Sequence, residues 1–254
     1  MENKFSSPYF FHIFTYFLGL FLLIPSYANS SDDSIKVMVM SQTPYGFITK
    51  DGQKTGVLYD ILNQIIKTSR IGKSISIVPT KRLVAIMKET QKVCTIFANS
   101  PDVSEFDYIE AIGFELTAGI LPAKGIKLDN YSSLKNKVIA VPLGIIFDKK
   151  FHTDDTLIKV RPPHYINAIK MLKKGRVDAV AGALLTLRYI AKKEGMSPMF
   201  FDKPLLFGQA NVYLVCTTNL NSSTREKLKK AVITLKSNGT IQRILTQYFG
   251  MNTQ

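Results

Sequence analysis

The sequence has 254 residues, and the side chain of Arg82 could bind an anion. It follows the alternating run 74–78, which is typical of a strand, and Pro79 and Thr80 then favour the start of a helix. Arg82 therefore falls in the first turn of that helix, where the helix dipole favours acidic side chains. Two interpretations stay open: Arg82 binds an anionic ligand, or it is an exposed side chain without a function.

Tyr45 and Phe47 are aromatic side chains that could contact the same ligand. They follow the β-rich run 35–40, after which Pro44 and Gly46 break the strand. Ligands of open α/β sheets bind at the C-terminal ends of strands, and a tyrosine ring can pack on an apolar or planar group. Packing inside the core is the alternative for both rings.

Local patterns around these residues predict alternating strands and helices. The Asp51-Gly52 pair predicts a tight turn. Apolar residues then recur at helical spacing from Leu58 to Ile66. The order strand, aromatic loop, turn and helix places the aromatic residues at the end of a strand.

Residue patterns of common enzymes are missing from the sequence. His152 and His164 have no nearby cysteine or acid at metal-ligand spacing. No G-x-S-x-G, P-loop or G-x-G-x-x-G motif occurs. We therefore predict no catalytic residues, no metal and no cofactor.

The N-terminal segment has the pattern of a signal peptide. Lys4 precedes an apolar block at 9–24, and small residues lead to Ala28. A membrane anchor is the alternative, but the block contains His12 and is shorter than the roughly 20 apolar residues of a spanning helix. We predict a signal peptide at 1–28, cleavage after Ala28 and a periplasmic protein.

The net charge of +14 is compatible with several kinds of partner. Removal of 1–28 takes away one acid and one base, so the charge is unchanged. Export argues against nucleic acid, and the lysines are scattered along predicted helices, which is typical of solvated faces. We therefore expect no nucleic-acid partner. We also expect a monomer.

The two cysteines, Cys94 and Cys216, lie in strand-like runs. An oxidising compartment allows them to form a disulfide. Two buried free thiols are the alternative, because geometry decides whether they pair.

Several motifs between residues 35 and 250 occur in an order typical of a known family. A Pro-aromatic loop, an Asp-Gly turn and a G-x-x-x-D helix start lie between Pro44 and Asp60. The run 131–144, the GRVDA run at 175–179 and the closing run from Asn238 to Gly250 follow. Together they resemble the bacterial extracellular solute-binding proteins of family 3, periplasmic receptors typified by polar amino-acid uptake.

This resemblance implies an α/β, two-lobed fold of the periplasmic-binding-protein-like type II. Each lobe would be a mixed sheet flanked by helices, and two crossover strands would join them. Residues 35–120 plus 212–250 would form lobe one, and residues 121–211 lobe two. Because the chain returns to lobe one, the resemblance also allows Cys94 and Cys216 to meet.

The resemblance predicts that a ligand lies between the lobes. The predicted ligand-binding residues are Tyr45, Phe47, Arg82, Asn99 and Ser100 of lobe one, facing Gly144, Ile145, Tyr165 and Ala183 of lobe two.

Two charged anchors of the family pattern are replaced in this sequence. Val103 stands where the family has an arginine for the ligand carboxylate, and Ala183 where it has an aspartate for the ligand ammonium. Ile145 and Ile146 replace hydroxyl side chains after Gly144. We therefore predict a small-molecule ligand that is not a standard α-amino acid.

The resemblance implies a binding protein that is not an enzyme and that serves an ABC-type importer in the membrane. The first alternative is a ligand-sensing subunit for a membrane signalling partner. The second is a dehydratase-like enzyme, because some relatives with this fold are dehydratases.

Overall fold

The computed structural model describes residues 35–90, 92–99, 104–144 and 146–250. The predicted signal peptide, Ser100, Val103 and Ile145 lie outside these ranges. The β-strands are β1 Lys36–Met40, β2 Phe47–Ile48, β3 Lys54–Thr55, β4 Ile75–Val78, β5 Val93–Ala98, β6 Asp107–Pro122, β7 Val138–Ala140, β8 Ile158–Val160, β9 Ala179–Ala183 and β10 Leu205–Cys216. The α-helices are α1 Val57–Ser69, α2 Thr80–Glu89, α3 Lys149–Thr153, α4 Tyr165–Lys173, α5 Leu184–Lys193, α6 Ser222–Ser237 and α7 Thr240–Phe249.

Eight strands form one mixed sheet in the order β4-β1-β5-β10-β6-β9-β7-β8. β1 pairs in parallel with β4 and β5, and β7 pairs in parallel with β8 and β9. The long strands β6 and β10 lie antiparallel to each other in the middle. The molecule is therefore mixed α/β, as the sequence predicted.

β6 and β10 connect the two sides of this sheet. The end of β10 pairs with β5 from Val212 to Cys216, whereas the end of β6 pairs with β9 from Ala118 to Pro122. We call β1, β4 and β5 with α1, α2, α6 and α7 lobe one, and β7 to β9 with α3, α4 and α5 lobe two. The predicted boundaries at 120/121 and 211/212 fall within β6 and β10, and they stay a prediction.

Separate groups of buried side chains support the two lobes. In lobe one, apolar residues of α1 such as Ile61 and Ile65 pack with Val232 and Leu235 of α6. In lobe two, α4 and α5 pack on one face of β7 and β9, with Ile169 and Leu187 buried among them. The amphipathic spacing predicted from Leu58 to Ile66 forms the buried face of α1.

Residues 41–48 lead from the end of β1 through β2, and we call them the β1–β2 segment. This segment is fixed against the start of α1. The amide groups of Leu58 and Tyr59 both donate to the carbonyl oxygen of Tyr45. Gly56 has a φ of 129°, and a Cβ there would overlap the Tyr45 backbone, so this close approach requires glycine. The helix therefore holds the aromatic loop in place.

Cys94 of β5 and Cys216 of β10 are opposite each other in the antiparallel pair and form a disulfide. Among the helices of the described ranges, none combines the length and the apolar character that crossing a membrane requires.

Candidate functional site

A cleft with a volume of about 400 Å³ lies between the β1–β2 segment and lobe two. We call it the outer cleft. Lobe one contributes Ser41, Gln42, Thr43 and Phe47. The residues from lobe two are Pro142, Leu143, Pro163, His164, Tyr165, Ile166, Tyr189, Ile190, Lys193 and Glu194.

Aromatic rings and polar groups share the walls of the outer cleft. Phe47, Tyr165 and Tyr189 offer apolar faces, whereas Ser41 and Thr43 offer hydroxyl groups. Such a combination of apolar surface with a few polar groups is typical of small-molecule sites.

Charges of both signs lie at the α5 side of the cleft. The ammonium of Lys193 is 5.7 Å from the centre of the Tyr189 ring. The Glu194 carboxylate is 3.8 Å from the Lys170 ammonium, an ion pair at the protein surface. The cleft can therefore offer a cation and a carboxylate to a ligand that has polar groups.

Behind the outer cleft, two buried tyrosines form hydrogen bonds near the start of α5. The hydroxyl of Tyr45 is 2.7 Å from the hydroxyl of Thr186 on α5, and both residues are buried. The hydroxyl of Tyr165 accepts the amide N–H of Ala183 at 3.3 Å. These contacts occupy the space next to the start of α5 with the protein's own side chains.

Both tyrosines are held in the neutral form. Burial raises the pKa of Tyr45 to about 12, although the hydrogen bond with Thr186 lowers it. Burial also raises the pKa of Tyr165, and the neighbouring Tyr45 raises it further. At neutral pH both groups therefore act as uncharged hydroxyls.

A smaller cavity of about 220 Å³ lies on the lobe-one side of Tyr45. Its lining is mainly apolar, with Phe97 and Phe114 from the sheet and Val84 from α2. Apart from Tyr45, Thr80 is the polar side chain in this lining. We call it the inner cavity.

The structure brings some of the predicted site residues together. Phe47 and Tyr165 line the outer cleft, and Tyr45 lines the inner cavity. The backbone N–H of Ala183 donates a hydrogen bond to the hydroxyl of Tyr165. Tyr45 is buried, which agrees with the alternative that its ring packs inside the core.

Other predicted residues lie elsewhere or outside the described ranges. Arg82, Asn99 and Gly144 are exposed and line neither the outer cleft nor the inner cavity. On α2, Thr80 and Val84 face the inner cavity, and Arg82, halfway between them in sequence, lies on the other side of the helix. Ser100 and Ile145 are not described, so the complete set stays a prediction.

Sequence reasoning missed several residues of the cleft region. Tyr189, Lys193 and Thr186 belong to α5, and His164 precedes α4. One feature of the sequence could have indicated Thr186: it is a polar residue inside the apolar run at the start of α5. The position of α5 against the β1–β2 segment is a long-range contact that no local pattern shows.

Comparisons with known proteins give one curated relative and many structures with a similar fold. The relative is "Probable amino-acid-binding protein YxeM" of Bacillus subtilis (strain 168), 21% identical over 231 residues, which cover 87% of this chain and 86% of that protein. No family model matches the chain.

Two solved structures illustrate the similarity of fold. A mutant of ArgBP from T. maritima has a TM-score of 0.66 at 18% identity and covers 87% of this chain and 97% of its own. A histidine kinase sensor domain with similarity to periplasmic binding proteins has a TM-score of 0.67 at 14% identity, with 85% and 96% covered. The comparisons thus confirm the resemblance to the extracellular solute-binding proteins of family 3: the chain has their two-lobed α/β fold and is a divergent relative of an amino-acid-binding protein.

Proposed function

We propose that this protein is an exported solute-binding protein that captures a small molecule between its lobes for an ABC-type importer. The observation that carries the proposal is the outer cleft, to which lobe one contributes Phe47 and lobe two contributes Tyr165 and Tyr189. A ligand in this cleft contacts both lobes and so favours their closed arrangement. The curated relative, named as an amino-acid-binding protein, supports a binding role over catalysis.

The chemistry next to α5 supports a ligand other than a standard α-amino acid. Ala183 has no carboxylate for an ammonium group, and its amide N–H already bonds with Tyr165. The hydroxyl groups of Tyr45 and Thr186 are hydrogen-bonded to each other. We infer that the ligand lies in the outer cleft, with an apolar or planar part against the aromatic rings and polar groups toward Ser41, Thr43 or Lys193.

A thermal-shift screen of residues 29–254 against amino acids, organic acids, amines and sugars would identify the ligand class. For a solute that raises the melting temperature, Phe47→Ala should weaken binding about tenfold in calorimetry, because a ring in contact with the ligand is lost. Phe200→Ala is the matched control, since Phe200 is exposed and does not line the cleft. Equal losses in the two variants, or tight binding of several α-amino acids, would contradict the proposal.

A sensor role is the second candidate, favoured by the similarity of fold to a histidine kinase sensor domain. Both roles use the same closed state, so binding measurements do not distinguish them. A comparison of solute uptake by cells with and without this gene would distinguish the two roles. An unchanged uptake together with a changed transcriptional response would favour the sensor.

We propose a monomer in the periplasm, released after cleavage behind Ala28, without a nucleic-acid partner, metal or cofactor. N-terminal sequencing of the protein from a periplasmic fraction would test the cleavage site. Light scattering on the purified protein would test the oligomeric state.

A further inference from the structure

A second large cavity lies between α5 and the end of α7. Its volume is about 860 Å³, more than twice the about 400 Å³ of the outer cleft. α5, the segment 196–204 and the end of α7 form its walls. We call it the basic groove.

Aromatic rings form the apolar part of the basic groove. Tyr189 of α5 lies 6.2 Å from Tyr248 and 6.5 Å from Phe249 of α7, measured between ring centres. Phe201 adds a ring from the segment before β10. All four rings are only partly buried, so their open faces can pack against an apolar group.

Cations surround this aromatic surface. Arg188, Lys192 and Lys203 line the groove and are exposed. In the described part of the chain, none of the three forms an ion pair. Arg188 and Lys192 are four residues apart on α5, where like charges are neighbours and slightly destabilise a helix.

Asp202 lines the groove but does not neutralise the charge of these cations. Asp202 accepts hydrogen bonds from the Lys124 ammonium at 2.8 Å and from the Gly125 amide at 2.6 Å. These bonds lower the pKa of Asp202, so it is ionised and already paired. The groove therefore keeps an excess of positive charge beside an apolar surface.

We propose that the basic groove is a second binding site, for a small organic anion with an apolar or aromatic body. The guanidinium of Arg188 can bind a carboxylate or sulfonate through two parallel N–H donors, and Lys192 adds a second charge. The ring faces of Tyr189, Phe201 and Phe249 receive the apolar body. The groove shares Tyr189 with the outer cleft, but its cations Arg188 and Lys192 do not line that cleft. The proposal therefore does not depend on the proposed function.

The fluorescent anion 8-anilinonaphthalene-1-sulfonate is a suitable probe, because it combines a sulfonate with aromatic rings. We expect saturable binding to folded protein. The variant R188Q/K192Q should weaken this binding at least about tenfold, because two charge-assisted contacts are lost. The matched control is K227Q/K229Q, which removes the same charge from exposed positions of α6 that do not line the groove and should bind like the parent.

A competition experiment separates charge recognition from simple hydrophobic binding. 4-Phenylbutyrate should displace the probe, whereas 4-phenylbutylamine, with the opposite charge, should not. Circular dichroism melting of each variant checks that the fold is intact. Absence of saturable binding, equal loss in the two double variants, or equal displacement by the amine would overturn the proposal.

Discussion

His152 shows how a single side chain can make stability depend on pH. Its ring lies 5.4 Å from that of Phe147 and 5.6 Å from that of Phe151, and its buried Nε2 has no hydrogen-bond partner among the described residues. Burial lowers the pKa of His152, and the charges of Arg161 and Lys159 lower it further. Folding therefore favours the neutral imidazole.

We predict that the unfolded chain binds a proton at His152 more readily than the folded protein. The stabilisation from the neutral ring is complete above the unfolded pKa of about 6.5 and is lost as the pH falls from there toward the lowered folded pKa. In urea unfolding, the parent should therefore lose more stability between about pH 7.5 and 5.5 than His152→Gln, which does not titrate.

His164→Gln is the control for this experiment, because His164 is exposed and lies outside the aromatic cluster. It should keep the pH dependence of the parent. Equal pH slopes for the parent and His152→Gln would show that His152 does not contribute.

At the scale of elements, Gly182 determines how β9 meets α4. Its φ is 150°, and a Cβ there would overlap the ring of Tyr165. Gly182→Ala should therefore lower the free energy of unfolding by about 1–3 kcal/mol, as overpacking of a core does. Gly208→Ala is the matched control in β10, because a Cβ there meets nothing within 4 Å. Similar unfolding midpoints in denaturant for the two variants would contradict this explanation.

The disulfide joins two strands that are distant in sequence. Cys94 and Cys216 are separated by 122 residues, and the cross-link restricts the unfolded chain. The double variant C94A/C216A should lose about 2–5 kcal/mol of unfolding free energy, which is typical of the removal of a native disulfide. Urea unfolding measures the loss, and the parent with added reductant should approach the variant. If the oxidised parent and the variant have the same free energy of unfolding, the disulfide does not stabilise the fold.

The sequence predicted elements well where the pattern is local. The run 35–40 contains β1, the Asp51-Gly52 turn joins β2 and β3, and the apolar spacing after Gly56 forms α1. β6, by contrast, continues through Gly113 and Gly119 to Pro122, residues that in sequence suggest breaks. Its pairing with β10 overrides this local preference.

The candidate site was predicted less completely than the fold, because it depends on contacts between distant segments. Phe47 and Tyr165 follow from the family pattern and line the outer cleft. Tyr189 and Thr186 lie on α5, where helical spacing gives no indication of what the helix contacts. Arg82 was correctly expected in the first turn of a helix, but the direction of a side chain on α2 depends on the packing of Leu83 and Met87.

At the scale of the whole molecule, a buried hydrogen bond between Tyr45 and Thr186 holds the β1–β2 segment of lobe one against α5 of lobe two. The rings of Tyr248 and Phe249 at the end of α7 also contact Tyr189 of α5. The chain itself joins the lobes through β6 and β10, which continue from one lobe to the other. Strands of this kind can bend while the lobes stay rigid, so we expect a hinge motion that opens the outer cleft.

This expectation gives Tyr45→Phe a specific outcome. If the lobes open, both hydroxyls become hydrated, so their bond stabilises the closed state relative to the open state and not the fold as a whole. A net loss of about 1 kcal/mol should then weaken solute binding about fivefold and increase the radius of gyration in X-ray scattering, while the urea midpoint changes little. Tyr59→Phe is the control, because the Tyr59 hydroxyl has no hydrogen-bond partner among the described residues. If Tyr45→Phe instead lowers the urea midpoint and leaves the scattering unchanged, the lobes form one rigid body and the bond belongs to the core.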